Sequence, residues 1–308
     1  LRGYQDQIAG RRSEACLPLG TILTIHNYYR QGGGEDKAFE GEGALLESQG
    51  HAVARYKNHN KNIQHGIIAG LAGIWNQTSY SGLQKLARKH RPDIAHLHNT
   101  FPLTSPGAYY ALRAMGIPIV QTVQNFRLLC PGATFCRDGR VCEQCLETRS
   151  LLPALKHRCY RGSAAGTAAV VAMLTIHRGL GTWERMVDAY ITPGEFVRRK
   201  LVEGGLPADR IVVKPNFVAP DPGPGKDPGA YALFVGRVAE EKGIRMLAET
   251  WRHLTEIPLV VAGDGPLSST PWPPGVQWLG EQPREHVVEL MHGAYVLVFP
   301  SINYECAP

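Results

Sequence analysis

FVGRVAEEKG (234–243) decides the fold. Tyr231 to Val235 is a β-branched and aromatic run bounded by Gly236, the pattern of a buried strand. Arg237 follows at once, and Lys242-Gly243 comes five residues after it. Beyond them Ile244, Leu247, Ala248 and Trp251 fall on one face of a helix. A strand end, a glycine turn, two cations and a helix start together make an anion site. The helix N-terminus offers unpaired N–H groups and a positive dipole end. Arg237 can fork onto phosphate oxygens and Lys242 can add a point charge. Taken alone, the same two residues read equally well as solvated loop charges.

Two later phrases repeat the grammar. VVAGDGP (260–266) is a strand over 258–262 followed by Gly263, Asp264, Gly265 and Pro266. In VFPSINYE (298–305) the strand Tyr295 to Phe299 ends at Pro300, with Glu305 beyond. A carboxylate there can accept hydrogen bonds from sugar hydroxyls. Open parallel sheets bind ligands outside the carboxyl ends of their strands. Alone, each phrase is an ordinary turn and a surface glutamate; in order, they outline a nucleotide-sugar site.

The same alternation runs back through the chain. Strands are expected at 21–25, 51–56, 93–99, 116–125 and 188–192, and helices at 36–48, within 63–90, at 163–186 and at 194–205. The class is therefore α/β with parallel sheets. A proline- and glycine-dense stretch at 215–229 is the expected linker. With 308 residues the chain supports roughly two domains. The net charge of +6 fits anionic ligands or an anionic membrane surface, but no dense basic block is present. No apolar run approaches the roughly 20 residues that span a bilayer.

On these phrases the chain resembles the family 4 glycosyltransferases, a retaining group with the GT-B architecture: two Rossmann-like domains facing a cleft. The resemblance runs over nearly all of 20–308. It implies an N-terminal acceptor-side domain at 20–214, with a cysteine-rich insertion at 130–160, and a donor-binding domain at 230–308. Residues 1–19 match nothing in the family and are read as an extension. In the family the Arg and Lys of GR-x4-KG hold the donor diphosphate, which falls on Arg237 and Lys242 beside Gly236. The first of two glutamates separated by seven residues contacts the donor sugar, which falls on Glu305. Its partner would lie beyond Pro308, so the donor domain is expected to be incomplete. Where the family usually reads EGFP this chain has Glu305-Cys306-Ala307-Pro308.

Further site residues follow. The GGGED loop (32–36) lets the backbone approach a ligand closely ahead of a helix start. The resemblance puts Gly33 and Gly34 beside the donor phosphates and the acceptor, and adds Gly265. In HLHNTFP (96–102) alternation sets His96 and His98 on one face. Two imidazoles invite a metal, yet the sequence supplies no evident third ligand. The resemblance assigns His98 to the transferring sugar. Gln124-Asn125 stands where the family has His-Asn or His-Asp, so Asn125 is retained as a contact and a titratable group is lost. Glu195 either faces the cleft or favours a helix N-terminus.

Five of the seven cysteines fall between 130 and 159. Cys142-x2-Cys145, flanked by Cys130 and Cys159, has the spacing of a structural zinc site, with Cys136 spare. Free thiols are the alternative; disulfides conflict with a cytosolic setting. The run 163–176 is apolar on all sides with basic flanks, which fits a buried helix or a face on lipid.

The expected activity is retaining transfer of a hexose from a nucleotide diphosphate-sugar to a glycan or lipid-linked acceptor, as in polysaccharide biosynthesis. No Asp-x-Asp motif is present, so no catalytic cofactor is expected, only a structural zinc. The expected location is the cytoplasm, with peripheral membrane contact. The rival readings are a non-catalytic sugar-nucleotide binder, a phosphorylase or epimerase, and a nucleic-acid binder built on the cysteines. The last lacks an aromatic platform beyond Phe135 and Tyr160, so no nucleic-acid partner is expected.

Overall fold

The computed structural model describes residues 19–29, 32–62, 67–225 and 229–306. Most of the expected 1–19 extension, including Cys16, lies outside them, as do 63–66, 226–228 and 307–308. The first sheet takes β1 (Thr21–Tyr28), β2 (Ala52–His59), β3 (Ile94–Leu97) and β4 (Ile119–Thr122). A small antiparallel hairpin, β5 (Cys136–Arg137) and β6 (Arg140–Val141), follows. The sheet then resumes with β7 (Ala189–Thr192) and β8 (Ile211–Val213), giving the order β2-β1-β3-β4-β7-β8. Every pairing in it is parallel.

A second sheet holds β9 (Tyr231–Val235), β10 (Leu259–Ala262), β11 (Val276–Gly280) and β12 (Ala294–Leu297). Its order is β11-β10-β9-β12, again all parallel. Parallel strands carry helices on their faces, and near-continuous apolar runs such as LVVA at 259–262 result, with all four residues buried. Each sheet has its own core. Leu23, Ile25, Leu97, Ile119 and Tyr190 are fully buried in the first, and Phe234, Val261, Ile244 and Leu247 in the second.

Three sequence expectations change. The helix expected over 163–186 is two helices, Ala164–Gly179 and Thr182–Met186, because Gly181 takes a left-handed φ of 64° between them. The run that looked apolar all round is one-sided. Thr167, Val170, Met173, Leu174 and His177 are buried, while the exposed side is largely small residues. Among the described residues no helix is long and apolar enough to cross a membrane. Finally, β8, β11 and the helix Arg284–His292 are additions to the expected set. Their apolar runs are short and mostly half exposed, so periodicity is weak there.

Candidate functional site

Each sheet has a point where the chain reverses its direction of growth. In the first this lies between β1 and β3, in the second between β9 and β12. Ligands of open α/β sheets bind beyond the carboxyl ends of strands at such points.

At the second point Lys242 closes a short turn after β9, and Glu305 follows β12. Gly243 takes a φ of 72°, and a Cβ there would stand 2.1 Å from the Pro300 carbonyl oxygen. Backbone thus lies directly on backbone, and the Ile302 N–H donates to the Glu241 carbonyl at 3.0 Å. This contact carries Glu305 to the lysine: Lys242 Nζ donates to Glu305 Oε1 at 2.6 Å, with both side chains half-buried. Arg237 pairs with Glu241 one turn further on. Partial burial and the charge of Arg161 hold its guanidinium below the usual arginine range, and Glu305 opposes them. Arg161, from the end of the cysteine-rich segment, therefore faces Arg237 closely enough for the two cations to repel. Such repulsion favours an anion between them.

At the first point the GGGED loop opens the helix Gly34–Ser48. Asp36 Oδ2 accepts from the Gly33 N–H at 3.0 Å, and Asp36 Oδ1 lies 2.7 Å from His26 Nε2. A Cβ built on Gly33 or Gly34 would meet nothing within 4 Å, so packing does not demand glycine at either position. Glu35 accepts from Asn125 Nδ2 at 2.7 Å and from Tyr29 Oη at 2.9 Å. Burial raises its carboxyl above the ordinary range, and these two hydrogen bonds pull the other way. Burial, then the Glu35 and Glu305 carboxylates, push the Cys306 thiol up. Cys306 thus feels one carboxylate from each switch point, Glu35 held by Asn125 and Glu305 held by Lys242.

Other expected residues fall elsewhere. Glu195 begins the helix Glu195–Glu203, is 62% exposed and pairs with Arg198 at 3.6 Å, the placement of a helix-terminus charge. Gln124 donates to Asn216 at 3.2 Å. Gly236 ends β9 with a φ of 156°, and a Cβ on Gly265 would stand 2.5 Å from the Val238 carbonyl oxygen. Close backbone packing alone accounts for glycine at Gly265. His98 follows β3 but its side chain is 3% exposed and turned inward. Its ring centroid lies 4.4 Å from that of His96, and the Glu42 carboxylate lies beyond. A cavity of about 40 Å³ touches it, lined also by Gln121, Gln124, Asn125 and Arg127.

Cys130, Cys142, Cys145 and Cys159 are free and half-buried, and they come together with Cys136. Burial, then Cys130, Cys145 and Cys142, push the Cys159 thiol up to about 11. The donor set suits a thiophilic metal. Among the described residues, however, no three sulfurs lie within 4.8 Å of one another, so loading would have to draw the segment in.

Glu35, Tyr29, Arg161 and Glu42 were not singled out from the sequence. Glu35 was legible in GGGED, as a carboxylate beside the glycines.

A family model described as Glycosyltransferase Family 4 matches residues 66–222. The chain belongs to this glycosyltransferase family. A second, Glycosyl transferases group 1, matches 229–308. Curated proteins give no match. Solved structures do. One is a lipopolysaccharide outer core galactosyltransferase, WaaB, in its apo form, at 15% identity and TM-score 0.51, covering 91% of this chain and 74% of that one. Another is Anabaena Alr3699/HepE in complex with UDP and glucose, at 14% identity and TM-score 0.51, covering 93% and 76%. A third is the catalytic domain of starch synthase IV from Arabidopsis thaliana bound to ADP and acarbose, at 12% identity and TM-score 0.52, covering 94% and 79%. At these identities the likeness is one of fold: the two parallel sheets are a GT-B arrangement, and the family's activity is glycosyl transfer.

Proposed function

We propose that the chain transfers a hexose, with retention, from a nucleotide diphosphate-sugar to a glycan or lipid-linked acceptor. The observation that carries this reading is the Lys242–Glu305 pair at the second switch point, 2.6 Å across, with Arg237 beside it. Residues 230–308 are the donor side and 20–214 the acceptor side. Arg237 and Lys242 would hold the diphosphate and stabilise the charge that grows as it leaves, the largest single contribution in such sites. Glu305, released from Lys242 by the incoming phosphate, would accept from the donor sugar's hydroxyls. Gly33 and Gly34 leave the open space a substrate needs, and Glu35 held by Asn125 presents a carboxyl to it. The relatives bound to UDP with glucose and to ADP support a nucleoside diphosphate donor. The cysteine cluster would hold a structural zinc that fixes the segment carrying Arg161.

The test is a donor screen with Lys242→Ala and Glu305→Ala. Each is expected to lose roughly 10²–10³ in turnover, the cost of removing one donor to developing charge. Unchanged transfer in both overturns the reading. The alternative, a sugar-nucleotide binder without turnover, draws on the fact that both cations already have carboxylate partners. It predicts donor binding with neither transfer nor donor hydrolysis.

A further inference from the structure

His98 is buried with both ring nitrogens unpartnered, an unusual state for an imidazole inside a folded chain. Its Nε2 stands 3.3 Å from Glu42 Oε2 without making a hydrogen bond to it. His96 Nδ1 stands 3.7 Å from the same oxygen. One ligand atom from each of Glu42, His96 and His98 lies within 4.8 Å of the others, and all three residues are buried. Ligands at about 2.1 Å from a tetrahedral ion are about 3.4 Å apart. Two edges of this triangle already have nearly that length.

The surroundings are those of metal ligands. A ligating histidine normally gives its other nitrogen to a partner that fixes the ring. His96 Nε2 lies 2.7 Å from Thr122 Oγ1. A ligating carboxylate is likewise held from outside, and Lys214 Nζ donates to Glu42 Oε1 at 2.6 Å, leaving Oε2 for the triangle. Lys214 is 40% exposed, so water screens its charge. We infer that Glu42, His96 and His98 form a binding site for a divalent transition metal, with two imidazoles, one carboxylate and at least one open position. Two nitrogens and a carboxylate suit zinc, cobalt or iron(II) and not magnesium or calcium. His98 also lines the cavity of about 40 Å³ described above. A ligand role uses His98 Nε2, the nitrogen that faces Glu42.

The experiment titrates chelator-treated protein with Co²⁺ alone, so its outcome is independent of the transferase reading. To separate this site from the cysteines, it uses the Cys142→Ser/Cys145→Ser background. The expected result is one equivalent of cobalt with ligand-field bands and no thiolate charge-transfer band. Glu42→Gln and His96→Gln are expected to abolish it with near-UV circular dichroism unchanged. Should either fail to fold, Thr122→Val removes only the outer partner and is expected to weaken binding roughly 10–100-fold. Cobalt uptake insensitive to Thr122 and Glu42, or no thiol-free spectrum at saturating cobalt, overturns the site.

Discussion

Gly33 and Gly34 are glycines that packing does not demand. Gly33 has an extended φ of −139°, and neither position has a neighbour that a methyl group would strike. Glycine in such a place costs unfolded-state entropy without a packing return. Gly33 is the N-cap of its helix, where alanine is disfavoured against glycine, and this offsets the entropy gain, so Gly33→Ala is expected to change the melting temperature only slightly. If a substrate phosphate or sugar approaches this backbone, the same variant loses transfer by at least about tenfold, or about 1.4 kcal/mol. Thermal melts and donor titrations on one preparation separate the two effects, and full activity in Gly33→Ala removes the loop from the site. Lys242 and Glu305 behave differently, because each stabilises the other. Both are half-buried, so removing one partner costs stability of only about 1 kcal/mol. A larger loss would mean that the pair is structural first.

At the scale of elements, Gly243 is the position where strand end, cation and helix start meet. An alanine there carries the left-handed penalty of about 1–2 kcal/mol and must also displace the Pro300 carbonyl 2.1 Å from its Cβ. Gly243→Ala is expected to cost more than about 2 kcal/mol in denaturant melts and to lower donor affinity by separating Lys242 from Glu305. The helix Ala164–Gly179 gives a pH prediction. His177 is buried between the Ile74 carbonyl, 3.0 Å from Nε2, and Thr182 Oγ1, 2.9 Å from Nδ1. A carbonyl only accepts, so Nε2 carries the proton and Nδ1 accepts from the threonine. Burial lowers the His177 pKa below its ordinary 6.5. Below pH 6.5 the unfolded chain then binds more protons than the folded one, so stability falls as pH falls. His177→Gln is expected to flatten that part of the pH–stability curve; an unchanged slope assigns the effect to other groups. The strand ends and the GR-x4-KG turn were readable in sequence because apolar runs and glycine turns are local signals. The break at Gly181 had its own local signal in Gly179 and Gly181, but apolar residues at helical spacing on both sides of it, up to Leu180 and again from Trp183, read as one continuous helix. Glu42 was hidden because its histidine partners stand on β3 and just after it, more than fifty residues along, and only sheet order brings them under the helix.

For the whole molecule the question is what joins the second sheet's switch point to the first sheet. The segment after β12 does so. Tyr304 packs at 4.8 Å from the Phe196 ring centroid, 5.9 Å from Phe135 and 6.3 Å from Phe126. Phe135 precedes the cysteine hairpin and Phe196 lies on the helix after β7, so one tyrosine ties the donor-side segment to two parts of the first sheet's core. Lys200 lies 5.8 Å over the same ring and 2.9 Å from Glu143. Glu305 is the next residue. Its pairing with Lys242 therefore depends on an anchor outside its own sheet, and the site is set by the mutual placement of the two halves. Tyr304→Ala removes the anchor but neither charge. It is expected to cost about 1–3 kcal/mol, below the 3–5 of a fully buried aromatic because Tyr304 is half-buried. Donor affinity should fall with it, whereas Tyr304→Phe keeps the ring contacts and should keep affinity. Nucleoside diphosphate titrations against the three proteins decide the matter: equal affinity in Tyr304→Ala would mean that the second sheet holds Glu305 unaided.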